Sequence, residues 1–324
     1  MDDIQNRYLT YDKSHCWQYD IRLTNMKKDL EDCNLTLEET KNLKVSDFTF
    51  KQVDNKVERE KVKQFIFKHE WLGSLSQYTT HWFACYYKDI LAGVVLMNVP
   101  NAFSKLLGED TPNLERLISR GACISWSPKN LASSLIMWSI KWMVKNTTYR
   151  LFTAYSDPTA YELGTVYQAC NFYYLGKSIG GKRYISPYNG KIISDRFFRQ
   201  RTAYKKYTEE LGLVWQKDWQ SKTGMNWSNV PDDIEKQLRE YSKMKQESSK
   251  VIEFPKKHKY SYVLGSTPTE TKMLRKKFLE KIKFMNILKK GENNYKLYFV
   301  ADEIISIKSR KGSIFLISIV TLNL

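Results

Sequence analysis

The chain has 324 residues, 42% of them apolar and 14% aromatic, which excludes a disordered polypeptide and supplies a sizeable core. Its formal net charge of +17 is concentrated: residues 176–206 hold nine Lys/Arg against one acid, and residues 256–290 hold eleven against two. Five scattered cysteines without a CxxC pair exclude a disulfide framework and a thiolate zinc cluster, while a polar, acidic N-terminus and a longest apolar stretch of only 314–322 argue against a signal peptide or membrane span. A reducing, cytoplasmic setting is expected.

Residues 1–46 lack a clean period and read as an N-terminal extension. An apolar alternation begins at Phe48-Thr49-Phe50 and predicts a first strand. A charged helix follows over about 57–72, with Val62, Phe65, Ile66 and His69 spaced to share one face. Residues 81–87 and 91–98 read as a hairpin around Lys88-Asp89. After a loop over 99–113, a strand is expected over 118–126. It is broken at Ser127-Pro128-Lys129-Asn130 and followed by a helix over 131–146 that is apolar round most of its circumference. Residues 150–155 read as a strand stopped by Ser156-Asp157-Pro158, and 161–171 as a helix. Short strands about Gly180-Gly181 and Asn189-Gly190 complete a domain over 47–215. The strand–loop–helix–strand segment in the middle is a βαβ crossover, and its flanking hairpins are antiparallel. The fold class is therefore α/β (α+β), a mixed central sheet with helices on both faces. Beyond it lies a basic region over 216–290, with a strand-like 260–264 and a helix over about 269–284. A terminal strand pair is expected within 291–324.

Three stretches are more specific: LISRGACISWSPKNLASSLIMWSIKW (117–142), FTAYSDP (152–158) and GTVYQACNFYYLG (164–176). Together with FKHEWLG (67–73) and KKHKYSYVLGS (256–266), they resemble the Mom-like DNA-modification proteins of phages, a divergent branch of the GNAT acyltransferase superfamily. The resemblance covers about half of the chain. It implies a GNAT-like fold and transfer of a small acyl-type group to a base, adenine through its exocyclic amine, protecting phage DNA from restriction. It also implies an acyl-CoA or related donor and DNA as partner.

In GNAT enzymes the donor's pyrophosphate sits at a strand-to-helix turn, where backbone N–H groups and the helix dipole favour an anion. The matching residues are Ser127, Lys129, Asn130, Ala132, Ser133 and Ser134. Asn130 stands where a glycine is usual, and asparagine tolerates the left-handed conformation. The same residues also suit a plain helix start with Asn130 as N-cap. Asp157, at a strand end, Tyr167, ten residues on, Arg120, in mid-strand, and His69 are the candidate catalytic residues. The mid-strand cation needs a partner, Asp157 or a ligand phosphate. Asp157, Tyr167 and His69 each have a plainer reading as turn, capping or core chemistry, and no spacing supports a metal. Lys182, Arg183, Arg196, Arg199 and Arg201 are the candidate DNA contacts. A base hidden in a duplex has to be flipped out to react, and Tyr155, Phe172, Tyr173, Tyr174 and Tyr184 supply stacking surfaces. Two other functions remain open: a GNAT acetyltransferase acting on a protein or small molecule with acetyl-CoA, and a DNA-binding protein on a decayed GNAT scaffold.

Overall fold

The computed structural model describes residues 16–178, 182–221 and 224–282, with the backbone of two further strands at 295–300 and 303–309. The chain divides into two compact units. Among the described residues, the larger comprises 16–178 and those from 257 onward, and the smaller those between 182 and 256. The boundary expected at 215 thus differs from the observed division, which places 179–256 as an insertion within the larger unit's chain.

The larger unit opens with α1 (Trp17–Asp32) and a one-turn helix, α2 (Leu37–Lys41). A seven-stranded sheet follows, in the order β1-β2-β3-β4-β5-β10-β6. Its first members are β1 (Phe48–Gln52), β2 (Thr79–Tyr87), β3 (Ile90–Asn98) and β4 (Glu115–Cys123), joined antiparallel. The single parallel pair is β4 with β5 (Leu151–Ser156). Then come β6 (Tyr173–Lys177) and β10 (His258–Val263), antiparallel to each other. This is the mixed sheet expected from the sequence, with helices on both faces.

Helix α3 (Lys56–His69) starts where the Asn55 side chain accepts the Glu58 N–H, and it buries Val62, Phe65, Ile66 and His69, the four residues of the predicted face. It covers the sheet face of Trp82, over which Arg59 lies at 5.9 Å. The neighbouring Phe83 points the other way, edge-on to Trp138 and Trp142 of α5 (Leu131–Asn146). A four-residue helix, α4 (Thr111–Leu114), leads into β4. Between the sheet faces β3 is buried along Ala92–Met97, each large side chain there contributing roughly 1.5–3 kcal/mol.

Two departures from expectation shape the centre of the larger unit. The helix expected over 161–171 shrinks to α6 (Thr165–Ala169), because Tyr161 and Gly164 take left-handed conformations with φ of 55° and 65°. Gly164 is required there: a Cβ would sit 2.4 Å from the ring of Tyr260. The strand expected as part of the basic C-terminal region is β10, and it lies inside the main sheet between β5 and β6. With His258, Tyr260, Ser261 and Val263 all buried, it is covered on both faces, as suits a central strand. Helix α9 (Pro268–Ile282) then packs Leu274, Phe278 and Ile282 on the same unit.

The inserted unit has a three-stranded sheet, β7 (Lys182–Ile185) between β8 (Ile192–Ser194) and β9 (Val251–Glu253). Its helices α7 (Arg201–Glu210) and α8 (Asp232–Glu247) enclose Ala203, Tyr204, Tyr207 and Leu238. Near the end of the chain β11 (Tyr295–Val300) and β12 (Glu303–Ser309) pair antiparallel. The remainder of 291–324 and residues 1–15 lie outside the described residues. Among the described residues no helix is long and apolar enough to cross a membrane.

Candidate active site

Pairing between β4 and β5 runs only from Glu115↔Leu151 to Ile118↔Ala154, although β4 continues to Cys123 on the β3 side. The two parallel strands therefore part at their carboxyl ends, where ligands collect in sheets of this kind. Three carboxyls belong to this region. Asp157, 5% exposed, follows β5; its Oδ1 accepts the Thr159 N–H (3.0 Å) and hydroxyl (2.5 Å), and its Oδ2 meets Lys257 Nζ at 2.7 Å. Glu162 accepts the Trp71 indole N–H at 3.0 Å on one oxygen and the Asp157 N–H at 3.3 Å on the other. Glu70, just past α3, accepts the N–H groups of Leu72 and Gly73 at 3.0 and 2.9 Å, and its other oxygen lies 3.9 Å from Arg120 Nε.

The electrostatics set these carboxyls apart. Burial, then the charge of Glu70, pushes Glu162 up to about 7, against the pull of the Asp157 N–H and the Trp71 indole. Burial raises Glu70 too, opposed by Arg120 first and by Lys257 at greater reach. Tyr167 is raised by burial and then by Glu162, so its phenol stays protonated at neutral pH. Its ring lies 5.4 Å from both Phe172 and Tyr260. Tyr260 in turn donates to the Leu163 carbonyl at 2.8 Å, which fixes the loop carrying Glu162.

Of the expected catalytic residues, Asp157, Tyr167 and Arg120 all interact with this carboxyl group of residues. The pairing of Arg120 with Asp157 is corrected: Arg120 pairs with Glu70 and donates to the Ser74 carbonyl at 2.8 Å, while Asp157 takes Lys257. Glu70 is nearer along the same sheet face, because α3 lies on the side that Arg120 faces. His69 packs on Phe65 at 4.2 Å, and its Nδ1 is 3.6 Å from Asp29 of α1. Burial lowers it to about 4, against the attraction of Asp29, so it is neutral at pH 7 and belongs to the α1–α3 contact. Glu70 and Glu162 escaped the sequence reading because glutamates normally stay solvated. Their apolar neighbours, Trp71-Leu72 and Tyr161, Leu163, were the one local signal.

The expected donor loop precedes α5. Asn130 is left-handed (φ 68°) and no side chain caps this helix, which sets aside the reading of Asn130 as a side-chain N-cap. Ser133 Oγ bonds back to the Asn130 carbonyl at 3.0 Å, Ser134 N–H donates to the same carbonyl at 2.9 Å, and Ser127 is buried. Lys129 and Ala132 are exposed, and the first turn of α5 carries no acid. Backbone donors at this helix start would thus face an anion with no acidic side chain in the first turn. Among the described residues no group of three or more His, Cys, Asp and Glu side chains is placed to hold a metal. In the inserted unit Lys182, Arg183, Arg196 and Arg199 are exposed. Arg199 pairs with Asp195 at 2.6 Å, and Arg201 donates to the Ser221 carbonyl at 2.8 Å.

Residues 48–281 match the model of the Mom protein family. The chain belongs to that family. The match spans all seven strands of the main sheet and the whole inserted unit, and it begins after α1 and α2. No curated protein sequence matches the chain. Among solved structures it is similar to a GNAT family acetyltransferase from Elizabethkingia anophelis with acetyl-CoA bound, at 10% identity over 67% of this chain and 99% of that one, with a TM-score of 0.30. A Bacillus subtilis acetyltransferase in complex with CoA gives 9%, 67%, 99% and 0.30. An N-acetyltransferase from Staphylococcus aureus Mu50 gives 16%, 45%, 92% and 0.30. Scores of this size add nothing to the fold, which the family member's own strand order defines.

Proposed function

We propose that this Mom family member is a group transferase that adds a small acyl-type group to a base in DNA, with the exocyclic amine of adenine as acceptor. In a phage this would shield the genome from restriction. The observation that carries the reading is Glu162: a carboxyl poised near neutrality, where β4 and β5 part, in a chain of this family. An acyl-CoA or related donor, bound by the turn Ser127–Ser134, would supply an activated acyl group; the left-handed Asn130 and the acid-free helix start suit its phosphates.

As the amine forms its new C–N bond, Glu162 accepts the amine's proton, a transfer matched to its affinity near pH 7. The Tyr167 phenol returns a proton to the departing sulfur as the old acyl bond breaks. Asp157 and Lys257 hold the strand end, and Arg120 keeps Glu70 charged enough to sustain the proton affinity of Glu162. The exposed cations Lys182, Arg183, Arg196 and Arg199, with Arg201, would track DNA phosphates. The experiment is mass spectrometry of nucleosides from DNA of a host expressing the chain. A heavier deoxyadenosine species is expected, lost with Asp157→Ala and Glu162→Gln. Unmodified DNA in a host that contains the donor would sink the proposal. Acetyl-CoA binding without DNA affinity at low salt would favour a protein or small-molecule acetyltransferase instead.

A further inference from the structure

Helix α1 lies outside the residues that match the family, yet its side chains reach two separate parts of the site. On the donor side, the Arg22 guanidinium donates to the Ser125 carbonyl through Nε (3.2 Å) and Nη2 (2.7 Å), and through Nη2 to the Ser127 carbonyl (3.2 Å). Two turns on, the fully buried Asp29 accepts the Ser125 N–H at 3.2 Å. On the carboxyl side, Gln18 donates to the His69 carbonyl at 2.6 Å and accepts the Trp71 N–H at 3.2 Å, bracketing Glu70. Trp17 meets Trp71 edge-on at 5.2 Å, and Asp29 also holds Lys68 at 2.8 Å.

A carbonyl oxygen facing a phosphate repels it. Arg22 holds the Ser125 and Ser127 carbonyls toward itself, so these dipoles are spent inside the protein and not on the ligand. Three charge-assisted bonds from one planar fork also order the turn before any ligand arrives, which removes that ordering cost from binding. A lysine, a point charge without the fork, cannot satisfy both carbonyls in the same way.

We propose that α1 is a positioning brace for the proposed reaction: Arg22 with Asp29 sets the donor turn, and Gln18 sets the segment bearing Glu70 and Trp71. Donor affinity then depends on Arg22, although α1 carries no reacting group. The coupling rests on the donor-turn reading; the brace itself does not.

The test uses the full chain with Arg22→Ala, Arg22→Lys and, as a surface control on the same helix, Lys28→Ala. Without ligand, amide hydrogen exchange over 124–131 is expected to quicken by about tenfold in Arg22→Ala and less in Arg22→Lys, with the middle of α5 unchanged. Acetyl-CoA affinity by calorimetry should fall by about tenfold in Arg22→Ala, with partial recovery in Arg22→Lys. Unaltered exchange in a folded Arg22→Ala overturns the brace. Quickened exchange with wild-type affinity overturns its link to the donor. If the alanine variant does not fold, the lysine variant decides, since unaltered exchange and affinity there overturn the proposal. Wild-type protein that binds neither acetyl-CoA nor CoA defeats the donor reading and the link with it, while the exchange arm still judges the brace.

Discussion

Replacing Glu162 by glutamine removes a charge whose cost the structure allows to be worked out. In the fold this carboxyl takes its proton at about pH 7, against 4.5 for an unperturbed glutamate, because of burial and then the charge of Glu70. Between those values the folded protein holds a proton that the unfolded chain has released, so stability falls as pH rises through 4.5 to 7 and is flat above. The interval corresponds to about 3 kcal/mol, or about 2 kcal/mol once the partial exposure of Glu162 is discounted. Glutamine escapes that cost but has one acceptor for the two donors, the Trp71 indole and the Asp157 N–H, a loss of about 1 kcal/mol. Glu162→Gln should therefore be more stable than wild type by about 1 kcal/mol at pH 8 and less stable by a similar amount at pH 5. Urea denaturation at the two pH values reads this directly. A difference between the proteins that is the same at both would refute titration of Glu162 near neutrality, and with it the proton-acceptor role. Glu70 is raised as well, so the two titrate as a pair and Glu70→Gln should lower the proton affinity of Glu162.

Gly164→Ala puts a methyl group 2.4 Å from the Tyr260 ring on a backbone with φ of 65°, and should cost about 3 kcal/mol in thermal or urea denaturation. His69→Phe checks the neutral histidine: the unfolded wild type takes up a proton from pH 6.5 downward that the fold refuses until about 4, so wild-type stability drops across that window and the variant's should drop less. Equal pH dependence of the two would count against a neutral His69. Lys182→Ala with Arg183→Ala should weaken DNA binding and flatten its salt dependence by about one unit per lost phosphate contact, with the rest of the fold unaffected, as fluorescence titration at several salt concentrations will report.

Local alternation made much of the main sheet readable. Phe48-Thr49-Phe50, the 81–98 hairpin and the periodic face of α3 carry their structure within a few residues, and the left-handed turn at Asn130 was foreshadowed by the residue type. Tyr260–Val263 looked like a strand but gave no hint of its neighbours, since its partners Leu151–Ala154 and Tyr173–Tyr174 lie far away in sequence. Arg120 announced a need for a counter-charge from its place in mid-strand. That the counter-charge is Glu70 depends on where α3 docks, which no local pattern encodes. Glu162 was hidden for a similar reason: its proton affinity comes in part from Glu70, far back along the chain.

The seat of β10 between β5 and β6 also dictates an order of events during translation. As the ribosome delivers the chain, β5 and β6 emerge with open edges and wait while the entire 179–256 insertion is made, because the strand that joins them comes only afterwards. Tyr260, which props the Glu162 loop through the Leu163 carbonyl, arrives with that late strand. A nascent chain released after residue 215 would contain Asp157, Glu162 and Tyr167 and still have no assembled centre.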